Sequence, residues 1–187
     1  MRVFVAIPLS KELKENLTKV QSQLKDFDAR ISWVDHEIFH LTLEFLGDVE
    51  ETKIPKVSAA IEKGCCGIEP FELALERLEL VPNIHHPRVI AVSVGGDLLS
   101  FQKLKNQIRV EVETLGFKFE QEKTSHITLG RIKEKLSPQV KNRFLQITKE
   151  SRLNDFKRVN VRKVVLTKST LTQVGPIYTP IVEIRLR

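Results

Sequence analysis

Apolar and polar side chains alternate in nearly the same way at two places along this chain. Phe39-His40-Leu41-Thr42-Leu43-Glu44-Phe45-Leu46 alternates through its first five positions, and Ser125-His126-Ile127-Thr128-Leu129-Gly130-Arg131-Ile132 repeats the pattern. Period-two alternation rich in β-branched and aromatic residues predicts a half-buried strand. Positions i and i+2 of a strand share a face, so His40 and Thr42 point one way while Leu41 and Leu43 point the other. His126 and Thr128 share a face for the same reason.

Around these two strands the pattern predicts the remaining elements. Arg2–Leu9 is a strand closed by Pro8, and Ser10 caps a helix to about Lys25 with Leu13, Leu17, Val20 and Leu24 on its apolar face. Arg30–Val34 is a short strand, and Asp35-His36-Glu37 turns into the first motif strand. A helix covers Glu51 to about Lys63, with Pro55 as an alternative start. Phe71–Leu80 is ambiguous, its alternation favouring strand. Arg88–Val94 is a strong strand, and a helix over Leu98–Leu115 stops near Gly116. After the second motif come a helix near Pro138–Ile147 and two strands over Phe156–Thr167 and Ile177–Leu186, joined through Val174-Gly175-Pro176. Strand-rich segments with a few helices predict an α+β fold of mostly antiparallel sheet, with helices on the outer faces. Each half holds a helix followed by a His-x-Thr strand. The expected arrangement is therefore one domain over residues 1–187, built as two pseudo-symmetric lobes around a central cleft.

Composition narrows the class. With 187 residues, 41% hydrophobic and 29% charged, the chain has the balance of a soluble globular protein. No stretch approaches the roughly 18 consecutive apolar residues of a membrane span, and the apolar N-terminal stretch is too short for a secretory signal. The expectation is a cytoplasmic protein with no membrane partner. The net charge of +6 favours polyanions such as RNA or nucleotide phosphates, although the basic residues are spread rather than clustered. Cys65 and Cys66 are adjacent, which suits neither an ordinary disulfide nor zinc-ligand spacing. They read as a reduced, partly buried pair at a helix end.

Each motif copy presents an imidazole beside a hydroxyl on a rigid element, which is half a site for a phosphate. Two copies face to face supply two groups able to act as general acid and general base near neutral pH, and two hydroxyl donors for non-bridging oxygens. A single His-x-Thr is as readily a pair of polar residues on a wetted sheet face. Two copies in similar octapeptides are not. His36, His85 and His86 fall in predicted turns and read as exposed; His85 and His86, near Arg88, could line a rim where RNA enters. Trp33 and Tyr178, the single Trp and Tyr, could stack a base but are expected to pack in the core. Lys168-Ser169-Thr170 could reach the cleft.

The pair His40-Leu41-Thr42-Leu43 and His126-Ile127-Thr128-Leu129 resembles the signatures of the two-histidine phosphoesterases. Their flanks, Arg2–Ile7, Trp33-Val34, Phe45-Leu46-Gly47, Pro87–Ile90, Leu115-Gly116-Phe117 and Leu129-Gly130-Arg131, resemble the RNA 2′,3′-cyclic phosphodiesterases, historically named 2′-5′ RNA ligases. The resemblance spans essentially the whole chain. It implies hydrolysis of a 2′,3′-cyclic phosphate at an RNA end to a 2′-phosphomonoester, without metal or other cofactor, and a weak reversible 2′-5′ joining of tRNA halves. It also implies His40 as proton donor and His126 as proton acceptor; Thr42 and Thr128 are then expected on the phosphate oxygens, and the expected unit is a monomer. Arg131 matters in the family pattern, yet simple alternation puts it on the face opposite His126; a twist or bulge would be needed to bring it to the cleft. Ser125 stands where the family often has proline, and Gly130 where alanine is common. Two other readings stay open: a module that binds an RNA or nucleotide phosphate without turnover, and a two-histidine enzyme for a small cyclic phosphate such as an ADP-ribose derivative.

Overall fold

The computed structural model describes residues 1–119, 125–151, 153, 156, 158–173 and 175–187. The elements in chain order are β1 (Arg2–Pro8), α1 (Lys11–Leu24), β2 (Ile31–Trp33), β3 (His40–Asp48), α2 (Ile54–Cys65), β4 (Phe71–Val81), β5 (Val89–Gly96), α3 (Leu98–Glu113), β6 (His126–Ile132), α4 (Pro138–Glu150), β7 (Val159–Val161), β8 (Lys163–Leu171) and β9 (Pro176–Arg185). The ambiguous Phe71–Leu80 segment is thus a strand. Helical backbone around Glu51 begins as a single 3₁₀ turn over Glu51–Lys53, and α2 comes next with Pro55 in its first turn.

Local chemistry explains the helix starts. The Ser10 hydroxyl accepts from the Leu13 N–H at 3.3 Å, Asp97 caps α3 through Ser100, and Ser137 caps α4 through Val140. The stripe Leu13, Leu17, Val20 and Leu24 is buried as the 3.6-residue period requires. Gln21 is buried with it, at 2% exposure. Cys65 closes α2 buried and Cys66 lies exposed, both as free thiols. Burial pushes the Cys65 thiol up to about 12, helped by Cys66 and Glu62. No helix among the described residues is long and apolar enough to cross a membrane.

The described strands form a single antiparallel sheet in the order β7-β4-β5-β6-β3-β1-β8-β9, with β2 joined to β6. The two motif strands are its innermost members, so two groups of four strands mirror one another: β3-β1-β8-β9 and β6-β5-β4-β7. Between the groups the pairing of β3 with β6 is reduced to Leu41 opposite Ile127. Beyond that point β6 pairs instead with β2, from Trp33 opposite Gly130 to Ile31 opposite Ile132. The motif strands therefore part, and the gap between them opens a cleft. The sheet also corrects one expectation. Phe156–Thr167 is not one strand: β7 ends at Val161 on the far edge beside β4, and β8 starts at Lys163 beside β1 in the other group. The chain changes groups at Arg162, whose carbonyl is met by the Leu186 N–H at 2.9 Å. Alternation continues through such a crossing and does not reveal it. Val174, expected in the next turn, lies outside the described residues.

Candidate active site

The pairing of Leu41 with Ile127 sets the register of the site. In an antiparallel pair it places Thr42 opposite His126 and His40 opposite Thr128, all on the face away from the two buried apolar side chains. His40 and His126 are then diagonal neighbours, with Cβ atoms somewhat under about 7–8 Å apart in ordinary sheet geometry.

Each motif is succeeded by a bulge at the same place. On β3, Ala6 pairs with Thr42 but Val5 with Glu44, leaving Leu43 as an extra residue; on β6, Ala91 pairs with Thr128 but Ile90 with Gly130, leaving Leu129 extra. One extra residue inverts the parity of everything after it. Glu44 and Gly130 therefore turn inward and are buried, whereas Phe45 and Arg131 turn outward and line the cleft. Simple alternation places Arg131 away from the site, and the bulge at Leu129 overrides it. Phe45 takes the matching position in the first copy and is 49% exposed, unusual for a phenyl ring. Gly130 has its own reason to be small: a Cβ there would lie 2.9 Å from the Trp33 ring.

The cleft has a volume of about 370 Å³ and is lined by His40, Thr42, Thr128 and Arg131 together with residues of three other segments. These are the stretch from Ser32 to Asp35 with Ile38, Phe45 on β3, and the β8–β9 hairpin with Thr172 and Gly175 in its turn and Tyr178 on β9. His126 is half-buried beside Thr42 and does not itself line the cavity. A larger hollow of about 650 Å³ between the end of α2 and β9 contains neither imidazole. Trp33 and Tyr178, expected in the core, are both only partly buried and form cleft walls. The Lys168–Thr170 stretch does not line the cleft; the chain reaches it a few residues later. His85 and His86 are exposed and do not line it either, and His36 is exposed as expected.

His40 is held on all sides. Its Nδ1–H donates to the Ile38 carbonyl at 2.8 Å, and its Nε2 meets the Thr42 hydroxyl at 3.0 Å. The Phe4 ring lies 4.9 Å away and the Tyr178 ring stands edge-on at 5.3 Å. The carbonyl of Ile38 fixes the tautomer, leaving Nε2 as the atom that faces the cleft. Burial holds the His40 pKa below its ordinary value; the Ile38 carbonyl pulls it up, and the cations of Arg131 and Lys14 push it further down. Lys14 is tied in place by its bond to the Glu37 carbonyl. Burial raises the Tyr178 hydroxyl above its usual range, against the pull of Arg131 and Arg2. The cleft thus combines the His40 imidazole, two hydroxyls, a guanidinium and aromatic walls, with His126 opposite Thr42 beside it, a set suited to a phosphate ester carrying a base.

Known proteins resemble this chain over nearly its whole length. The family model for LigT-like phosphoesterases matches residues 7–91 and 100–178, which include both motifs and most of the chain. The chain belongs to the LigT-like phosphoesterases. A relative from Methanothermobacter thermautotrophicus named RNA 2′,3′-cyclic phosphodiesterase is 31% identical over 186 residues, covering 100% of this chain and 99% of its own. Another with that name, from Archaeoglobus fulgidus, is 31% identical over 180 residues, covering 95% and 96%. The crystal structure of a Thermus thermophilus protein superposes with a TM-score of 0.82 at 26% identity, covering 100% of this chain and 98% of that one. In this phosphoesterase the sequence pointed to the two His-Thr pairs. It did not reveal Phe45 as a cleft residue and favoured the core over base stacking for Tyr178, because the position of one depends on a bulge and that of the other on an edge hairpin folded across the sheet.

Proposed function

We propose that the protein is an RNA 2′,3′-cyclic phosphodiesterase that opens a terminal 2′,3′-cyclic phosphate to a 2′-phosphomonoester. The observation that carries this reading is the register that sets Thr42 opposite His126 and His40 opposite Thr128, with His40, Thr42, Thr128 and Arg131 lining one cleft, supported by the names of full-length relatives. Neutral His126 takes a proton from water as the water oxygen bonds to phosphorus. The P–O3′ bond breaks on the opposite side, and protonated His40 gives its Nε2 proton to O3′. Ile38 steadies the imidazolium from behind through the Nδ1–H bond. Arg131, Thr42 and Thr128 hold the non-bridging oxygens, where negative charge is redistributed during the displacement. Trp33, Phe45 and Tyr178 give the terminal base apolar surface to lie against. With a 5′-hydroxyl in place of water the same step forms a 2′-5′ linkage, so tRNA halves are candidate substrates. The chain acts in this reading as one two-lobed monomeric unit in the cytoplasm, with no metal or cofactor.

Incubation with a 2′,3′-cyclic-phosphate RNA oligomer in the presence of EDTA tests the proposal. The expected product carries its phosphate on the 2′ oxygen; a 3′-phosphate product, loss of turnover in EDTA, or binding without turnover overturns it. Comparing a dinucleotide with a longer oligomer over a salt series separates an RNA enzyme from one built for a small cyclic phosphate, since phosphate contacts along a strand weaken steeply with salt.

The proton assignment makes its own prediction. A group that acts as an acid must carry its proton, so kcat/KM falls as pH rises through the pKa of His40, and burial places that limb below the ordinary histidine value of 6.5. Lys14→Met removes a cation that lowers this pKa. The alkaline limb is expected to move to higher pH while the acid limb stays in place. Movement of the acid limb instead would exchange the roles of the two histidines.

A further inference from the structure

Gln21 is the one polar residue on the otherwise apolar buried stripe of α1, and its burial at 2% exposure serves no part of the proton chemistry. Its amide nitrogen donates to two backbone carbonyls, Val34 at 2.7 Å and Leu129 at 2.9 Å. Leu129 is the extra residue of the β6 bulge, and its carbonyl also accepts the Val34 N–H at 2.9 Å. One side chain thus ties α1 to the bulge that turns Arg131 into the cleft and to the segment beside Trp33 that forms a cleft wall. The other bulge has a counterpart: buried Glu44, next to the extra Leu43, is ion-paired with Arg109 on α3. Each motif strand is therefore braced behind its bulge by a buried polar contact from a helix, at the point where side-chain parity changes.

We propose that Gln21 is a positioning residue for Arg131. It holds the Leu129 bulge so that the guanidinium two residues later meets the phosphate; this rests on the reading that the cleft binds a phosphate ester through Arg131. Two donors on one amide fix the carbonyls of Leu129 and Val34 together, a constraint that no apolar side chain of similar size supplies. Removing the donors leaves a buried bulge carbonyl with one bond fewer and frees the strand to slip towards regular pairing, in which Arg131 leaves the cleft.

A double-substitution cycle of Gln21→Met, close to glutamine in size but without donors, with Arg131→Ala tests this. Inorganic phosphate affinity is read by calorimetry and kcat/KM on a cyclic-phosphate oligomer by kinetics. In the wild-type background Gln21→Met is expected to weaken phosphate binding roughly fivefold or more and lower kcat/KM roughly ten- to a hundredfold, as a guanidinium displaced by about 1 Å would. In the Arg131→Ala background it is expected to change either quantity less than about twofold, because the residue it acts through is gone. Val20→Ala, which removes buried packing from the same helix but no hydrogen bond to the bulge, is expected to lower the melting temperature and leave phosphate affinity unchanged. Should Gln21→Met not fold, Gln21→Glu enters the same cycle with the original size. An equal penalty in both Arg131 backgrounds, no penalty in either, or no phosphate binding by the wild type overturns the proposal. Coupled phosphate binding without turnover of the cyclic ester would leave the brace standing and remove the phosphodiesterase reading instead.

Discussion

Replacing either His40 or His126 with alanine is expected to lower the single-turnover rate on a 2′,3′-cyclic-phosphate RNA by about 10²- to 10⁴-fold. The size comes from the geometry of an in-line displacement. Attack by water and departure of O3′ occur on opposite sides of phosphorus, so no single group serves both proton transfers, and each missing imidazole leaves one of them to bulk water. The double variant is expected to lose little more than the worse single one, since acid and base act in the same transition state. Folding should survive in each case. His40 stands between Phe4 and Tyr178 at a cleft wall, and His126 is only half-buried, so neither truncation empties space in the fully buried apolar core. Melting temperatures near wild type beside a collapsed rate are the expected result. A loss of only a few-fold for either variant would mean that the duplicated motif binds phosphate without transferring protons.

The two half-sites could be read from the chain because each depends on local alternation alone: His40 with Thr42, and His126 with Thr128, share a face in any strand. The capped, striped helix α1 was predictable on similar grounds, from Ser10 and from the spacing of Leu13, Leu17, Val20 and Leu24. The positions just past each motif were not. Whether Glu44 or Phe45 faces the cleft, and whether Gly130 or Arg131 does, is set by one extra residue opposite β1 or β5, and a bulge is a property of the pairing rather than of one strand's composition. The crossing at Arg162 was hidden for a related reason, since both sides of it continue an extended, apolar-rich run. Tyr178 shows a third limit. As a lone aromatic on a strand it reads as core, yet among the described strands β9 is an edge strand hydrogen-bonded only to β8, and its ring lands on His40 because the hairpin lies over that end of the sheet.

Glu44→Ala is expected to be the most destabilising single change near the site, by about 3–5 kcal/mol, the range for removing one partner of a buried ion pair. The Glu44 side chain is 4% exposed and that of Arg109 is 18%, so both ends of the pair are largely withdrawn from water. At roughly 2–4 °C per kcal/mol for a chain of this length, the melting temperature should fall by roughly 6–20 °C. The pair is not there because ions are intrinsically better than apolar contact in a core. Glu44→Met combined with Arg109→Met should therefore recover much of the loss, less whatever Arg109 gains from lying 5.4 Å over the Phe119 ring. Recovery of stability need not restore activity. The ion pair spans β3 and α3 directly behind the bulge that turns Phe45 outward, and two methionines can fill that volume without fixing the register. The expected signature is a double variant that melts near wild type but binds the terminal nucleotide less tightly, measured by thermal unfolding and by KM for the cyclic ester. A double variant as unstable as Glu44→Ala would show that the site needs the charges themselves, and one with unchanged KM would show that the bulge at Leu43 holds without them.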